Sequence, residues 1–185
     1  NYYLHEQLDN VQEGEVAVIF THNCDQRAIL GDIVAKYMLF QRKAVAVVIQ
    51  GLVRDVVEIR HRRYPVWSTG SSPIGCINKP TEEYPTDLRQ EKLNEYEGAV
   101  CVCDDTGVVA IPKTVSHDEM ISRLERITLQ EAIWNFCIDE LGWNTKRTIC
   151  DKDYLNHLDE FPPRYRENVE TLKQVFSKVD SIKAS

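Results

Sequence analysis

The sequence predicts an α/β protein with a helical C-terminal extension, and three observations carry that prediction. Two continuous apolar runs, residues 16–20 and 44–49, flank a stretch with helical apolar spacing. Two further short runs, 99–103 and 107–111, meet at Asp104-Asp105-Thr106-Gly107, a group of residues suited to a tight turn. From residue 116 onward the apolar residues keep the three-and-four spacing of helices. The expected division is a core at 1–115 and an extension at 116–185.

The chain opens at Asn1 rather than Met and enters an element at once, over residues 2–8. The expectation is that residues precede it in the full gene product or were trimmed from it. Val16 to Phe20, bounded by Gly14 and by Thr21-His22-Asn23, reads as a buried strand. Asp25 is the expected cap of a helix whose face carries Leu30, Ile33, Val34, Tyr37 and Met38. The run 44–49, ending at Gly51, is a second buried strand. Strand, helix and strand in succession make a βαβ unit with parallel strands. Such strands are covered on both faces, so their apolar runs are unbroken.

Residues 53–62 are expected as a short helix, 64–67 as a strand and 69–75 as a loop. From 79 to 97 the chain turns polar and charged around Pro80 and Pro85, a surface excursion. Beyond the paired runs and Pro112, Ser116 with Glu119 forms a capping box, and Thr128 with Glu131 a second. Met120, Leu124 and Ile127 make one apolar stripe, continued by Leu129, Ile133, Phe136 and Cys137 to a stop at Gly142. After Pro162-Pro163 a last amphipathic helix carries Tyr165, Val169, Leu172 and Phe176. These stripes fit a cover for the same core, an oligomer contact or a lid equally well.

Composition narrows the function. The apolar share of 43% and charged share of 28% are those of a globular domain, which excludes collagen-like and disordered chains. No apolar stretch is long enough to span a membrane. The net charge of −7 makes duplex nucleic acid a poor partner, with Arg60-His61-Arg62-Arg63 the one local basic run. The six cysteines form no CxxC pair and no secretory leader is evident, so they are read as reduced thiols of a cytoplasmic protein. Cys101 and Cys103 face one side of a strand; lacking a second Cys or His pair at ligand spacing, they are read as small buried hydrophobes rather than half a metal site.

The densest chemistry lies at Gly51-Leu52-Val53-Arg54-Asp55-Val56-Val57-Glu58, just past the C-terminal end of a parallel strand, where open α/β sheets place ligands. On a helix Asp55 and Glu58 share a face and can hold Mg²⁺ or Mn²⁺. Arg54 can clamp a carboxylate. The competing reading is an ordinary surface pair between Arg54 and Glu58. Leu30-Gly31-Asp32-Ile33 is a second candidate, because Gly31 lets a ligand approach backbone amides; the alternative is a glycine merely tolerated in a helix. His5 reads as a partly exposed helix histidine. No GxxxxGK[ST], GxGxxG or GxSxG motif is present.

The order and spacing of these blocks resemble the RraA-like family, which includes the regulator of ribonuclease E activity and the class II 4-hydroxy-4-methyl-2-oxoglutarate aldolases. The matching stretches are His5-Glu6-Gln7-Leu8-Asp9, Leu30-Gly31-Asp32, Val48-Ile49-Gln50-Gly51-Leu52-Val53-Arg54-Asp55, Tyr64-Pro65-Val66-Trp67, Ser71-Ser72-Pro73, and Asp104 to Pro112. The resemblance implies a swivelling β/β/α sandwich, assembly as homotrimers or homohexamers, and a site at a subunit boundary. In the aldolase branch it implies a divalent ion, Mg²⁺ or Mn²⁺, held by Asp55 with Glu58 in the motif Arg54-Asp55-Val56-Val57-Glu58. Arg54 would bind the 2-oxo acid, and the amides of Gly31, Asp32 and Ile33 its carboxylate.

The expected activity is therefore that of a metal-dependent lyase, an aldolase or oxaloacetate decarboxylase acting through a pyruvate enolate. The alternative is a non-catalytic oligomeric scaffold that regulates a partner protein such as a ribonuclease. Both acidic residues of the motif are present, which favours the lyase. This chain departs from the family pattern in four places. It has one residue more between Asp32 and Arg54, it lacks the family's N-terminal portion, residues 79–97 are charged and glycine-poor, and 116–185 lie beyond the resemblance.

Overall fold

The computed structural model describes residues 2–80 and 84–183, with side chains as far as Phe176. The backbone separates into two compact units, Asn1–Lys113 and Thr114–Ser185.

The first unit is organised around one strand. Its elements are α1 (Tyr2–Gln7), β1 (Val16–Phe20), β2 (Ala28–Leu30), α2 (Asp32–Lys36), β3 (Ala46–Val53), α3 (Val56–His61), β4 (Val66–Ser71), α4 (Thr86–Tyr96), β5 (Val100–Asp104) and β6 (Gly107–Ile111). β3 pairs in parallel with β1, β2 and β4. Its first half, Ala46 to Gln50, lies beside β1, and its end, Leu52 and Val53, beside β2. β1 and β2 thus share the edge opposite β4. Against β4 the register slips between Ile49 and Leu52, so three steps of β3 face two of β4.

The apolar runs form these strands because both faces are covered. Val47, Ile49 and Val53 of β3 are buried with Ile29, Leu30, Ala35, Met38 and Leu8 in one core. Each large side chain so buried contributes about 1.5–3 kcal/mol. The expected helix from Asp25 through Leu30 is different in fact. Leu30 belongs to β2, all three of whose residues are buried, and α2 begins only at Gly31 as N-cap. Asp25 takes a left-handed turn conformation instead. The helix closes in a wide turn, Tyr37–Gln41, in which Arg42 N–H donates to Tyr37 C=O.

Arg42 also fastens the N-terminal segment. Its guanidinium donates to the carbonyls of Asp9 (2.6 Å) and Val11. Tyr37 OH donates to the Asp9 carboxylate. Together with buried Leu8, these bonds fix the end of α1 against α2.

β5 and β6 form the antiparallel hairpin expected of the sequence. Asp104 Oδ1 accepts from the Thr106 hydroxyl and from the amides of Thr106 and Gly107, which sets the turn and holds the Asp104 carboxyl below its usual range. Trp67 Nε1–H donates to Asp104 C=O, tying the hairpin to β4. Cys101 and Cys103 are half-buried on one face. The 79–97 excursion contains α4, which has no buried residue; residues 81–83 lie outside the described residues.

The second unit holds α5 (His117–Asp139) and α6 (Pro163–Lys183), joined by short turns. Its core is Ile133, Cys137, Trp143, Tyr154, Phe161, Val169 and Leu172. Arg147 stacks 3.4 Å over the Trp143 ring and pairs with Asp153 and Glu160. Ser116 caps α5 as expected, accepting from Glu119 N–H. The second capping box does not form. Thr128 sits inside an unbroken α5, its hydroxyl donating to Leu124 C=O one turn back. Accordingly Ser116→Ala should cost about 1 kcal/mol of stability. Thr128→Ala should instead stabilise by a few tenths of a kcal/mol, Ala being the better interior helix former. Thermal unfolding of the two variants checks this, and equal losses from both would contradict it.

Candidate active site

β3 delivers the site. Arg54 N–H donates to Leu30 C=O, so the end of β3 is stitched to the end of β2. The next residue, Asp55, turns the chain into α3 with φ 58°, a left-handed conformation. Asp and Asn visit that region more readily than other non-glycine residues, and strain of this kind collects at functional sites. Asp55 is therefore the N-cap of α3, with its C=O accepting from Ile59 N–H, and its side chain is left outside the helix.

That side chain lies over Gly31. A Cβ at position 31 would stand 2.1 Å from Asp55 Oδ2 and 3.0 Å from Arg54 Nε. A Cβ at position 75 would stand 2.9 Å from Arg54 Nη1. Arg54 thus passes between two glycines, and its Nε lies 3.4 Å from Asp55 Oδ2. Both side chains are about half exposed, at 51% and 43%. Segment 74–76 is held in place by β2: Ala28 N–H donates to Ile74 C=O and Cys76 N–H to Ala28 C=O.

Arg54, Gly31 and Gly75 open on a cavity of about 220 Å³, also lined by His5, Ile33 and Asn78. At about 30 Å³ per water this holds about seven waters, room for a small organic acid. Gly31 N-caps α2 without a side-chain bond. The first amides of a helix have no partner within it, so those of Asp32 and Ile33 are donors available to an anion. A larger hollow of about 440 Å³ lies at the β1–β3 junction beside Thr21, Cys24, Arg27, Gln50, Gly51 and Thr69.

The structure brings Gly31, Arg54 and Asp55 together, with Asp32 and Ile33 next to them. It arranges Glu58 otherwise than the helix-face reading expects. Because Asp55 is a cap, Asp55 and Glu58 do not form a pair within the helix. The Glu58 carboxylate is taken by Arg62, one turn further on, and Arg54 pairs with Asp55 rather than with Glu58. His5, read from sequence as a partly exposed helix histidine, is an exposed residue of α1 and also borders the cavity.

Among the described residues no group of three or more His, Cys, Asp or Glu side chains is gathered as a cage for a metal. A hard divalent ion such as Mg²⁺ does not need one. It keeps several waters and is bound through one or two carboxylates plus oxygens of its substrate. A single half-exposed carboxylate, seated over a glycine at the mouth of an acid-sized cavity, fits that donor requirement. No helix among the described residues is long and apolar enough to cross a membrane.

The RraA-like family model, described as Aldolase/RraA, matches residues 1–110. Among curated proteins the chain is similar to protein DlpA of Legionella pneumophila, 30% identical over 76% of this chain and 25% of that protein. Among solved structures it is similar to RraAS2 of Streptomyces coelicolor, described as an unusual member of the RNase ES inhibitor RraA protein family. That match has a TM-score of 0.51 and 23% identity over 69% of this chain and 65% of the other. An uncharacterized protein from Pseudomonas syringae pv. tomato matches at TM-score 0.54 and 21% identity, over 70% and 60%. These likenesses show the fold. The chain spans a quarter of DlpA's length and just under two thirds of RraAS2's.

Proposed function

Because this chain belongs to the RraA-like, Aldolase/RraA family, we propose that it is a divalent-metal-dependent lyase cleaving a C–C bond of a small 2-oxo acid by way of a pyruvate enolate. One observation carries the reading: Asp55 and Arg54 cross at Gly31, at the mouth of a cavity of small-acid size. The family also contains regulators without catalysis, and the paired Arg54-Asp55 favours the enzyme.

The roles follow from the chemistry of each group. Asp55 is the carboxylate that would hold Mg²⁺ or Mn²⁺; Glu58, whose carboxylate is paired with Arg62, would join it only by leaving that pair. When bound, such an ion polarises the 2-oxo group as a Lewis acid. Arg54 donates its planar fork to the oxygen on which charge collects as the C–C bond breaks. The amides of Gly31, Asp32 and Ile33 bind the substrate carboxylate, fixing the carbon skeleton along the cavity. Oxaloacetate and 4-hydroxy-4-methyl-2-oxoglutarate both yield this enolate. Assembly as a homotrimer or homohexamer goes with the same reading.

The test is pyruvate release from both acids with Mg²⁺, with Mn²⁺ and with EDTA. Metal-dependent release is the expected result. Arg54→Lys keeps the charge but loses the bidentate fork, and should lower kcat/KM about 10²-fold. A folded, oligomeric protein that releases no pyruvate under any of these conditions overturns the reading for these two acids and turns the search to a regulatory scaffold with a protein partner or to a different substrate.

A further inference from the structure

Two of the six cysteines, far apart in the chain, meet in the fold. Residues 24–28 and 74–76 run side by side. Ala28 bridges Gly75 in parallel, its N–H donating to Ile74 C=O while Cys76 N–H donates to Ala28 C=O. Arg27 adds a side-chain bond, Nη1 donating to Gly75 C=O at 3.1 Å. Just before it the chain doubles back. Arg27 N–H donates to Cys24 C=O, and Asn23 and Asp25, on either side of Cys24, both take left-handed conformations. The turn brings the Cys24 thiol within hydrogen-bonding reach of the Cys76 thiol. Both are half-buried and pack on the core of the first unit. We propose that Cys24 and Cys76 are a redox-responsive thiol pair, which closes to a reversible disulfide and so anchors the wall against which Arg54 lies. The pairing is independent of the lyase reading.

A disulfide needs its sulfurs about 2.05 Å apart, a short closing movement from the observed contact. The other thiols are placed differently. Cys101 and Cys103 are two apart on one extended strand, with about 6.8 Å between Cα atoms, the limit a disulfide spans. Cys137 is fully buried in the second unit, which pushes its pKa up to about 11, and Cys150 is exposed. Cys24 borders the larger hollow, where a small oxidant can reach it. Cys76 is the poorer first nucleophile, because burial and the neighbouring Cys24 hold its thiol protonated. The oxidant is a low-molecular-weight disulfide such as oxidised glutathione. Cys24 loses its proton and attacks one glutathione sulfur, and the first glutathione leaves and takes up a proton. Cys76 then loses its proton and attacks the Cys24 sulfur, and the second glutathione leaves as a thiol. Two protein thiols are oxidised to one disulfide, and one glutathione disulfide is reduced to two thiols. In a reducing compartment such bonds are transient and serve as sensors. Here the sensor adjoins the site. Cys76 follows Gly75, and a Cβ at position 75 would stand 2.9 Å from Arg54 Nη1. The closed loop encloses β2, α2, β3, α3 and β4, so the bond should raise the melting temperature by about 10 °C.

The test uses the whole chain, held in buffers from reduced to oxidised glutathione, then alkylated in denaturant and mapped by mass spectrometry. The reduced protein should carry six alkylated cysteines. The oxidised protein should lose two of these, with one cross-link through Cys24 and Cys76, and dithiothreitol should restore all six. Amide hydrogen exchange over residues 74–78 should slow in the oxidised form. Cys24→Ser and Cys76→Ser should each abolish the cross-link and the rise in melting temperature, whereas Cys101→Ser should keep both. If Cys24 and Cys76 stay open to alkylation in oxidised glutathione, or the cross-link runs through other cysteines, the pairing is wrong. A Cys24–Cys76 cross-link that leaves exchange over 74–78 unchanged overturns the anchoring of the Arg54 wall.

Discussion

Asp55→Asn should abolish metal-dependent pyruvate release while leaving the protein folded, with a loss of about 10³-fold in kcat. Asn is the informative replacement because of the backbone. Asp55 sits at φ 58°, where Asn is tolerated and most other residues are strained. Ala at this position would add about 1–2 kcal/mol of strain to the loss of the carboxylate and mix two effects. Asn keeps the left-handed turn, the start of α3 and the shape of the side chain, and removes the charge that a hard cation requires. Isothermal titration with Mn²⁺, run beside the activity assay, should show weaker metal binding in the variant. Wild-type activity in Asp55→Asn would contradict the placement of the ion at this residue.

Gly31→Ala should be almost as damaging, for a steric reason. The Gly31 backbone, at φ −132° and ψ −164°, is open to any residue, so no conformational argument demands glycine there. The demand comes from across the site. An added methyl would stand 2.1 Å from the Asp55 carboxylate and 3.0 Å from Arg54 Cγ and Nε. Both side chains are half exposed and can swing outward, so the melting temperature should change little. The crossing of Arg54 over Asp55 would be lost, and displacement of catalytic groups by an ångström or more costs about 10²-fold in rate. A drop in kcat/KM at nearly constant stability is the expected signature. Wild-type kinetics in Gly31→Ala would mean that the observed crossing is not the working geometry.

The sequence reveals the sheet because unbroken apolar runs at 16–20 and 44–49 have few other uses, and the structure places both in β1 and β3. It conceals β2. Ala28-Ile29-Leu30 is too short to show a period, and the accidental spacing of Leu30, Ile33 and Val34 mimics a helix face, although Ile33 is 75% exposed. Thr128 misleads for a related reason. A capping residue is recognised by its neighbours three places on, and the same residues occur inside a helix whose carbonyls already satisfy the hydroxyl. In the site, Arg54 and Asp55 are legible because they are adjacent. The need for glycine at 31 and 75, the capture of Glu58 by Arg62 and the presence of His5 are all products of tertiary approach, which local spacing does not encode.

β3 changes partners half way along its length, from β1 to β2 on one edge. Residues 21–27 leave the sheet at that change and return to it, so their number is not set by any pairing of their own. Thr21 is bonded back to Gln50 C=O and Arg27 to Gly75 C=O, which pins the two ends of the excursion independently of what lies between. Lengthening a loop with fixed ends costs little free energy. The chain therefore holds, beside its larger hollow, a graft point at which added residues would reshape the wall without shifting the register that places Arg54 and Asp55. Directed insertion at residues 23–26 would reshape the larger hollow and leave the cavity at Gly31 and Arg54 as it is.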